Sequence, residues 1–248
     1  MSGIWNAMAL ILGHHKIKKQ FFFPNCDPSA EFWVPVTAVA LYDGQHRILV
    51  DTGYQDTEWV DRHVTQARCE PGEELDNALR QGPGWRPEDV DLVINTHLHF
   101  DHCGNNHRFQ NARFVVHRRE WQAACAVPEE GQGMYLPSLY DESAVPADRW
   151  DIIDGDMSCL SGLDLIETPG HSAGHMSVLV KTEEGILCVA GDMCCTLENL
   201  RNGIVNQSVY SCEQAAQSYE KVKRAAEYIL PGHDGCIQPF QSSGFPRI

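Results

Sequence analysis

Short apolar runs alternate along this chain with polar loops that carry His, Asp and Gly. Runs rich in Val, Ile, Leu and aromatic residues and bounded by such loops predict strands at 32–42, 46–50, 91–95, 113–117, 163–167, 176–181 and 185–190. Apolar residues that recur at three- and four-residue steps predict a helix at 213–229, and helices are also expected at 73–81 and 118–126. Because a polar cluster follows most of the strands, we expect layered sheets with a site at the strands' carboxyl ends.

Other segments have weaker patterns. Residues 127–150 are irregular and broken by Pro and Gly, which is typical of a functional or disordered connection, and 134–150 is a candidate lid. The basic run at 14–19, which includes His14 and His15, is expected to be a solvated face, with attraction of an anionic substrate group as the alternative. Aromatic residues at 21–23, Phe32 and Trp33 predict core or a subunit interface, or else an apolar wall for a substrate.

Composition narrows the classes of function. The 248 residues are 43% hydrophobic, which suits one folded domain spanning 1–248. With 19 Lys+Arg and 34 Asp+Glu, the net charge is 19 − 34 = −15, which disfavours nucleic-acid or membrane partners and leaves small molecules. Ten cysteines without a C-x-x-C pair predict reduced thiols, and no apolar stretch approaches the ~20 residues of a membrane span. We therefore expect a cytoplasmic protein.

The strongest chemical signal is the run His97-x-His99-x-Asp101-His102, which places four metal-type donors in six residues. Imidazole and carboxylate donors without thiolate favour zinc or, less often, iron, manganese or cobalt. Three further donors each follow an apolar run and a Gly or Pro-Gly turn: His171, Asp192 and His233. One zinc needs three or four protein ligands, so the complete set is large enough for two ions.

This order of motifs resembles the metallo-β-lactamase superfamily, whose pattern begins with an Asp after a strand, here Asp51. The resemblance implies an α+β, four-layer αββα sandwich and a dimetal site. It assigns His97, His99 and His171 to the first metal, Asp101, His102 and His233 to the second, and Asp192 to a bridge between them. It also implies that Asp51 orients ligands through hydrogen bonds, and we expect the same role for His175.

Within the superfamily, the run His-Leu-His-Phe-Asp-His and the later Thr-Pro-Gly-His resemble the N-acyl homoserine lactonase-like group. We expect Phe100 and Cys195 to contact substrate. Quorum-quenching lactonases usually carry a Tyr where this chain has Cys195, which leaves the acyl homoserine lactone substrate open. The sequence around Cys103 also resembles 4-pyridoxolactonase, which acts on an aromatic lactone.

These features lead to one functional hypothesis. Two zinc ions would activate a bridging hydroxide that opens a lactone or related cyclic ester, with Asp101 protonating the leaving oxygen. The alternatives are an aromatic lactone, thioester, β-lactam or phosphotriester on the same site, and a non-hydrolytic iron site. A homodimer is a further expectation.

Overall fold

Two β-sheets form the centre of the computed structural model, which describes residues 3–128, 133–206 and 210–248. In these residues the strands are β1 (Asn6–Lys18), β2 (Glu31–Tyr42), β3 (Arg47–Val50), β4 (Ala67–Arg68), β5 (Leu92–Ile94), β6 (Arg113–His117), β7 (Trp150–Ile153), β8 (Met157–Leu160), β9 (Leu163–Glu167), β10 (Met176–Thr182), β11 (Gly185–Gly191) and β12 (Tyr228–Pro231). The helices are α1 (Thr57–His63), α2 (Leu75–Gln81), α3 (Phe100–Cys103), α4 (Arg118–Cys125), α5 (Leu197–Asn202) and α6 (Cys212–Ala225).

The strand order brings several loops to one edge of each sheet. The larger sheet has the order β4-β1-β2-β3-β5-β6-β7, antiparallel from β4 to β3 and parallel from β3 to β7. The smaller sheet has the order β12-β11-β10-β9-β8, with β11 and β12 parallel. Parallel neighbours end on the same side, so the loops that follow β3 and β5, and those that follow β11 and β12, lie together.

Side-chain alternation along the strands produces the layers. On β2, Val39 and Leu41 belong to the core between the two sheets, whereas Ala38 and Ala40 belong to the cluster beneath the helices. On the smaller sheet, Val189 faces the inter-sheet core and Cys188 faces the opposite way. Successive residues of a strand point to opposite faces, so each sheet has one face for its partner and one for helices.

The outer faces are covered by helices. Leu79 of α2 and Ala124 of α4 pack on the larger sheet. Tyr219 and Val222 of α6 pack on the smaller sheet. The predicted α+β, four-layer αββα sandwich is therefore confirmed, whereas the single-domain organisation of 1–248 stays a prediction.

Two segments differ from the predicted elements. The helix predicted to run to 229 ends at Ala225, because Ala226 is extended and Tyr228–Pro231 pairs with β11 as a strand. The segment 6–18 was not predicted as a strand, yet it forms β1 along the length of β2. Nonlocal pairing, not local propensity, decides both segments.

Part of the segment predicted as a lid packs into the core, and its role as a lid stays a prediction. Residues 129–132 lie outside the described residues. In the rest of the loop, Tyr140 and Val145 are buried, and the Tyr140 hydroxyl donates a hydrogen bond to the Ala124 carbonyl at 3.0 Å. Trp150 begins β7. Among the described residues, no helix has both the length and the apolar character needed to cross a bilayer.

Candidate metal centre

Several predicted site residues follow the ends of four strands. Asp51 follows β3, His97 lies three residues beyond β5, and Asp192 and His233 follow β11 and β12. His171 lies in the loop from β9 to β10. The topology brings these loops to one edge of the sandwich, where their side chains meet.

The first group of donors consists of three imidazoles. His99 Nδ1 lies 3.0 Å from His97 Nε2 and 3.0 Å from His171 Nε2. Two nitrogens bound tetrahedrally to one zinc at 2.0–2.1 Å would be about 3.3 Å apart. The three nitrogens therefore have nearly the spacing that one ion requires.

The second group surrounds Asp192, which is buried. Its Oδ1 lies 3.2 Å from His102 Nε2 and 3.0 Å from His233 Nε2, while its Oδ2 lies 3.3 Å from His171 Nε2. Asp101 Oδ2 lies 3.7 Å from His233 Nε2. One carboxylate thus touches both groups of imidazoles, as a bridging ligand does.

The donor set fits a pair of divalent ions. Within the described residues, His102 Nε2 and Asp192 Oδ1 are fully buried and have no hydrogen-bond partner, although they lie 3.2 Å apart. Buried polar atoms normally have partners, so both atoms point to a ligand that a cation would satisfy. Imidazole and carboxylate donors suit zinc, iron, manganese or cobalt.

A hydrogen bond at the ring nitrogen opposite the proposed metal ligand atom fixes the orientation of His102. Its Nδ1 donates to Asp51 Oδ2 at 2.8 Å, which leaves Nε2 free to coordinate. Asp51 also accepts bonds from the Thr96 amide and hydroxyl, each at 2.8 Å. Its backbone has φ +60°, a region that Asp tolerates better than most residues, and this turns the carboxylate beneath the site.

Two further imidazoles are held in the same way. His233 Nδ1 donates to the Pro35 carbonyl at 2.8 Å, and His97 Nδ1 lies 3.0 Å from the Thr96 hydroxyl oxygen. Each contact occupies Nδ1 and assigns the ligand role to Nε2.

His175 makes a different set of contacts. Its Nε2 accepts the amide N–H groups of Asp192 at 3.1 Å and Met193 at 3.2 Å, and its Nδ1 pairs with the Thr168 hydroxyl at 2.9 Å. Both ring nitrogens are occupied, so this geometry supports a role for His175 in holding the Asp192 loop.

The surroundings shift the pKa values of the imidazoles in opposite directions. Burial lowers the pKa of His99 to about 3 and holds the pKa of His97 well below its usual value, so both rings are neutral. Burial also acts against a charged His102, but Asp192, Asp101 and Asp51 outweigh it and raise its pKa well above the usual value. The carboxylates thus create a field that attracts a cation.

Glu120 is a site residue that the sequence analysis missed. It is fully buried on α4, and its Oε1 accepts the Leu98 amide N–H at 3.1 Å and the Tyr135 hydroxyl at 2.9 Å. Its Oε2 accepts the Ser172 hydroxyl at 2.6 Å and the Gly174 amide at 3.1 Å. A Cβ on Gly174 would overlap the Glu120 backbone nitrogen, so this close approach requires glycine. One side chain therefore ties the loop of His97 and His99 to that of His171.

His15 departs from the solvated face predicted for 14–19, whereas Lys18 and Lys19 are exposed. His15 is only 5% exposed, and its Nε2 lies 3.9 Å from Asp101 Oδ2. Its ring centroid lies 5.3 Å from that of His233. The pairing of β1 with β2 shifts register between Ile11 and His14, and such bulges change the direction of the side chains that follow.

A cavity of about 470 Å³ opens above these donors, within the range of small-ligand sites. Asp101, Asp192, His171, His233 and His15 lie in its lining. The apolar part of the lining is Ile17, Phe21, Phe22, Val64 and Met134. Both Phe21 and Val64 are 42% exposed, so the apolar wall continues to the protein surface.

The two predicted substrate contacts differ in position. Cys195 lines the cavity, and the Asn206 amide group donates to its Sγ at 2.8 Å. Phe100 is buried and borders a second, smaller cavity together with Trp59, at a ring distance of 6.2 Å. Burial raises the pKa of the Cys195 thiol well above its usual value, which favours an uncharged thiol.

Comparisons with known proteins agree with this architecture. A sequence model of the metallo-beta-lactamase superfamily matches residues 32–233. An N-acyl homoserine lactonase of a Bacillus species is 32% identical over 216 residues, which cover 81% of this chain and 82% of the relative. The N-acyl homoserine lactonase of Bacillus cereus is 29% identical over 214 residues, with the same coverage.

A solved structure of a similar protein has a similar fold. An N-acyl homoserine lactone hydrolase with its product N-hexanoyl-L-homoserine bound at the catalytic metal centre superposes with a TM-score of 0.79. It is 27% identical, and the match covers 93% of each chain.

Proposed function

This chain belongs to the metallo-beta-lactamase superfamily, and on that premise we propose that it is a dimetal hydrolase that opens lactones. The observation that carries the proposal is the position of Asp192, whose two oxygens face two groups of imidazoles at the base of a ligand-sized cavity. A site of this kind suits attack on an ester carbonyl.

The proposed ligands divide between the two groups. The first ion would be held by His97, His99 and His171, the second by Asp101, His102 and His233, with Asp192 shared. When bound, a pair of zinc ions supplies a water that ionises near neutral pH and a Lewis acid for the carbonyl oxygen. Asp51 and the Pro35 carbonyl orient the imidazoles of His102 and His233.

Asp101 is the proposed proton carrier. It lies on α3, is buried, and lines the cavity beside His233. Its carboxylate is placed to take the proton lost by the attacking water and to return that proton to the ring oxygen as the ester bond breaks. The lactone then leaves as a hydroxy acid.

The proposed substrate class is a lactone with an apolar substituent. Phe22 and Ile17 face the cavity, and the exposed Phe21 and Val64 extend the apolar wall outward. An acyl chain would bury its methylene groups there, each contributing about 0.8 kcal/mol. N-acyl homoserine lactones, the substrates named for the similar proteins, are therefore the first candidates.

An aromatic lactone is the second candidate. Cys195 is small and uncharged, and the Phe22 ring lies 6.2 Å from the ring of His233 at the base of the cavity. A flat ring could therefore enter next to Phe22. Thioesters, β-lactams and phosphotriesters follow as alternatives, and a non-hydrolytic iron site is the last.

A substrate panel tests the proposal. The chain is loaded with zinc, its metal content is measured, and release of acid is followed with N-acyl homoserine lactones of several chain lengths, an aromatic lactone, a thioester, a β-lactam and a phosphotriester. We expect two ions per chain and the highest kcat/KM on a lactone. Two bound ions without hydrolysis of either lactone class would contradict the proposal.

Replacement of Asp101 tests its role separately. Asp101→Asn removes the proton carrier and retains one oxygen donor, so we expect kcat to fall by about 10²–10⁴-fold while metal remains bound. The exposed Asp148→Asn is the matched control and should leave kcat unchanged. A metal-replete Asp101→Asn variant with the parent kcat would refute the proton transfer.

A further inference from the structure

The additional imidazole of His15 has no counterpart in the ligand set proposed above. His15 lies on β1, ahead of the region that matches the superfamily model, whereas the proposed ligands lie between 97 and 233. Its side chain is buried and forms part of the cavity lining.

The geometry around His15 is that of a ligand group. One donor atom each from His15, Asp101 and His233 lie within 4.8 Å of one another. The His15 Nε2 to Asp101 Oδ2 distance of 3.9 Å is too long for a hydrogen bond. Two bonds of 2.0–2.1 Å to a common ion span about 3.3 Å at tetrahedral geometry and at most ~4.2 Å, so at 3.9 Å a shared ion requires a wide angle or a small approach of the two side chains.

The surroundings of His15 do not explain it as a core residue. Its nearest rings are those of His233, at 5.3 Å, and Phe100, at 6.4 Å. Within the described residues, its Nδ1 is fully buried and has no hydrogen-bond partner. The other ring nitrogen, Nε2, lies 3.9 Å from Asp101 Oδ2, and a cation bound there would give the ring a partner.

We propose that His15 is an additional protein ligand of the second metal position, beside Asp101 and His233. This rests on the dimetal site of the proposed function but not on its substrate. The inferred site would have more donors on the Asp101 side than on the side of the three imidazoles, and its affinity would depend on β1.

Metal binding by variants tests the proposal. His15→Ala and His15→Phe each remove the donor, and the Phe variant keeps a ring at this position in case the alanine variant does not fold. His14→Ala is the matched control, because His14 is adjacent on β1 but is paired with Glu73 at 3.3 Å and is not part of the cavity lining. Folding is checked by circular dichroism and cooperative thermal unfolding.

Zinc affinity is measured by competition with a chelator, and the cobalt-loaded forms are compared by visible absorption. We expect the His15 variants to bind one ion with the parental affinity and the other about 10–100-fold more weakly. The cobalt spectrum of that second ion should change, whereas His14→Ala should match the parent. A ligand role predicts these changes independently of turnover.

Three results would overturn the proposal or its basis. If the His15 variants bind two ions with the parental affinities and cobalt spectrum, His15 is not a ligand, even if turnover falls. If His14→Ala weakens metal binding as much as the His15 variants do, the weaker binding results from a disturbed strand β1 and not from the loss of a ligand. If the parent chain binds fewer than two ions, the dimetal basis of the proposed function fails as well. Parental metal binding by the His15 variants, in contrast, would leave that basis intact.

Discussion

Replacement of Glu120 by Gln tests whether one carboxylate holds the metal-centre loops together. The parent side chain accepts four hydrogen bonds, from Leu98, Tyr135, Ser172 and Gly174. In the variant an NH₂ group replaces one of the two oxygens. The two hydrogen bonds that this oxygen accepted are lost, because an NH₂ group is itself a donor. At about 1.5 kcal/mol for each bond to a charged acceptor, the loss is about 3 kcal/mol.

The assay is thermal unfolding of the metal-free protein, because bound metal would add its own stabilisation. For a chain of this length, 3 kcal/mol corresponds to a fall in Tm of about 6–12 °C. The loop with His97 and His99 and the loop with His171 should also move apart. We therefore expect zinc affinity to fall by about 10–100-fold.

Glu88→Gln is the matched control, since Glu88 is exposed and surface changes of this kind stay within about 0.5 kcal/mol. The reasoning fails if metal-free Glu120→Gln melts within about 2 °C of the parent. It also fails if the variant is destabilised but binds zinc as the parent does, because Glu120 would then stabilise the fold without positioning the ligands.

Three further outcomes follow from the same contacts. Asp51→Asn removes the charged acceptor of the His102 Nδ1 proton, so chelator competition should show zinc binding weakened by about 10–100-fold, and unchanged binding would refute the orienting role. Phe22→Ala shortens the apolar wall, so KM should rise more for long-chain than for short-chain lactones, and an equal rise would place the chain elsewhere. Burial raises the pKa of Cys195, so less thiolate is present at any given pH; iodoacetamide at pH 8 should modify the exposed Cys212 and leave Cys195 unmodified, as mass spectrometry would show.

The donor motif was predictable because it is local. His97, His99, Asp101 and His102 fall within six residues after one strand, and no tertiary information is needed to recognise them. The strand predicted from Phe32 to Tyr42 was also close, because apolar residues fill it on both faces. Local patterns therefore identified the sheet centre and one side of the site.

Glu120 was not predictable in the same way. It lies in an ordinary helical stretch, and its partners come from positions 98, 135, 172 and 174, which only the fold brings together. One signal was present in the sequence: Glu120 and Ala124 are four residues apart, on the same face of α4, and both are buried. An acidic residue on an apolar helix face indicates a buried acceptor.

His15 was missed because β1 was missed. The Ile4–Leu12 run lacks regular alternation, and the bulge near Gly13, where φ is +116°, breaks the phase between the residues before and after it. Only the pairing with β2 shows that His15 turns inward while His14 pairs with Glu73. A sequence pattern with period two cannot be followed through a bulge.

The proposed metal ligands and the residues proposed to select the substrate lie in different parts of the chain. The seven proposed ligands all lie within residues 32–233, the part that matches the superfamily model, and they come from loops at strand ends. The apolar wall is built largely by β1 and the turn after it, through Ile17, Phe21 and Phe22, all before residue 32. His15 lies on the same segment. Changes in this segment can therefore alter both the substrate preference and the second ion's environment while the seven ligands between 97 and 233 stay unchanged, which makes β1 the part of the molecule where a lactone preference would be set.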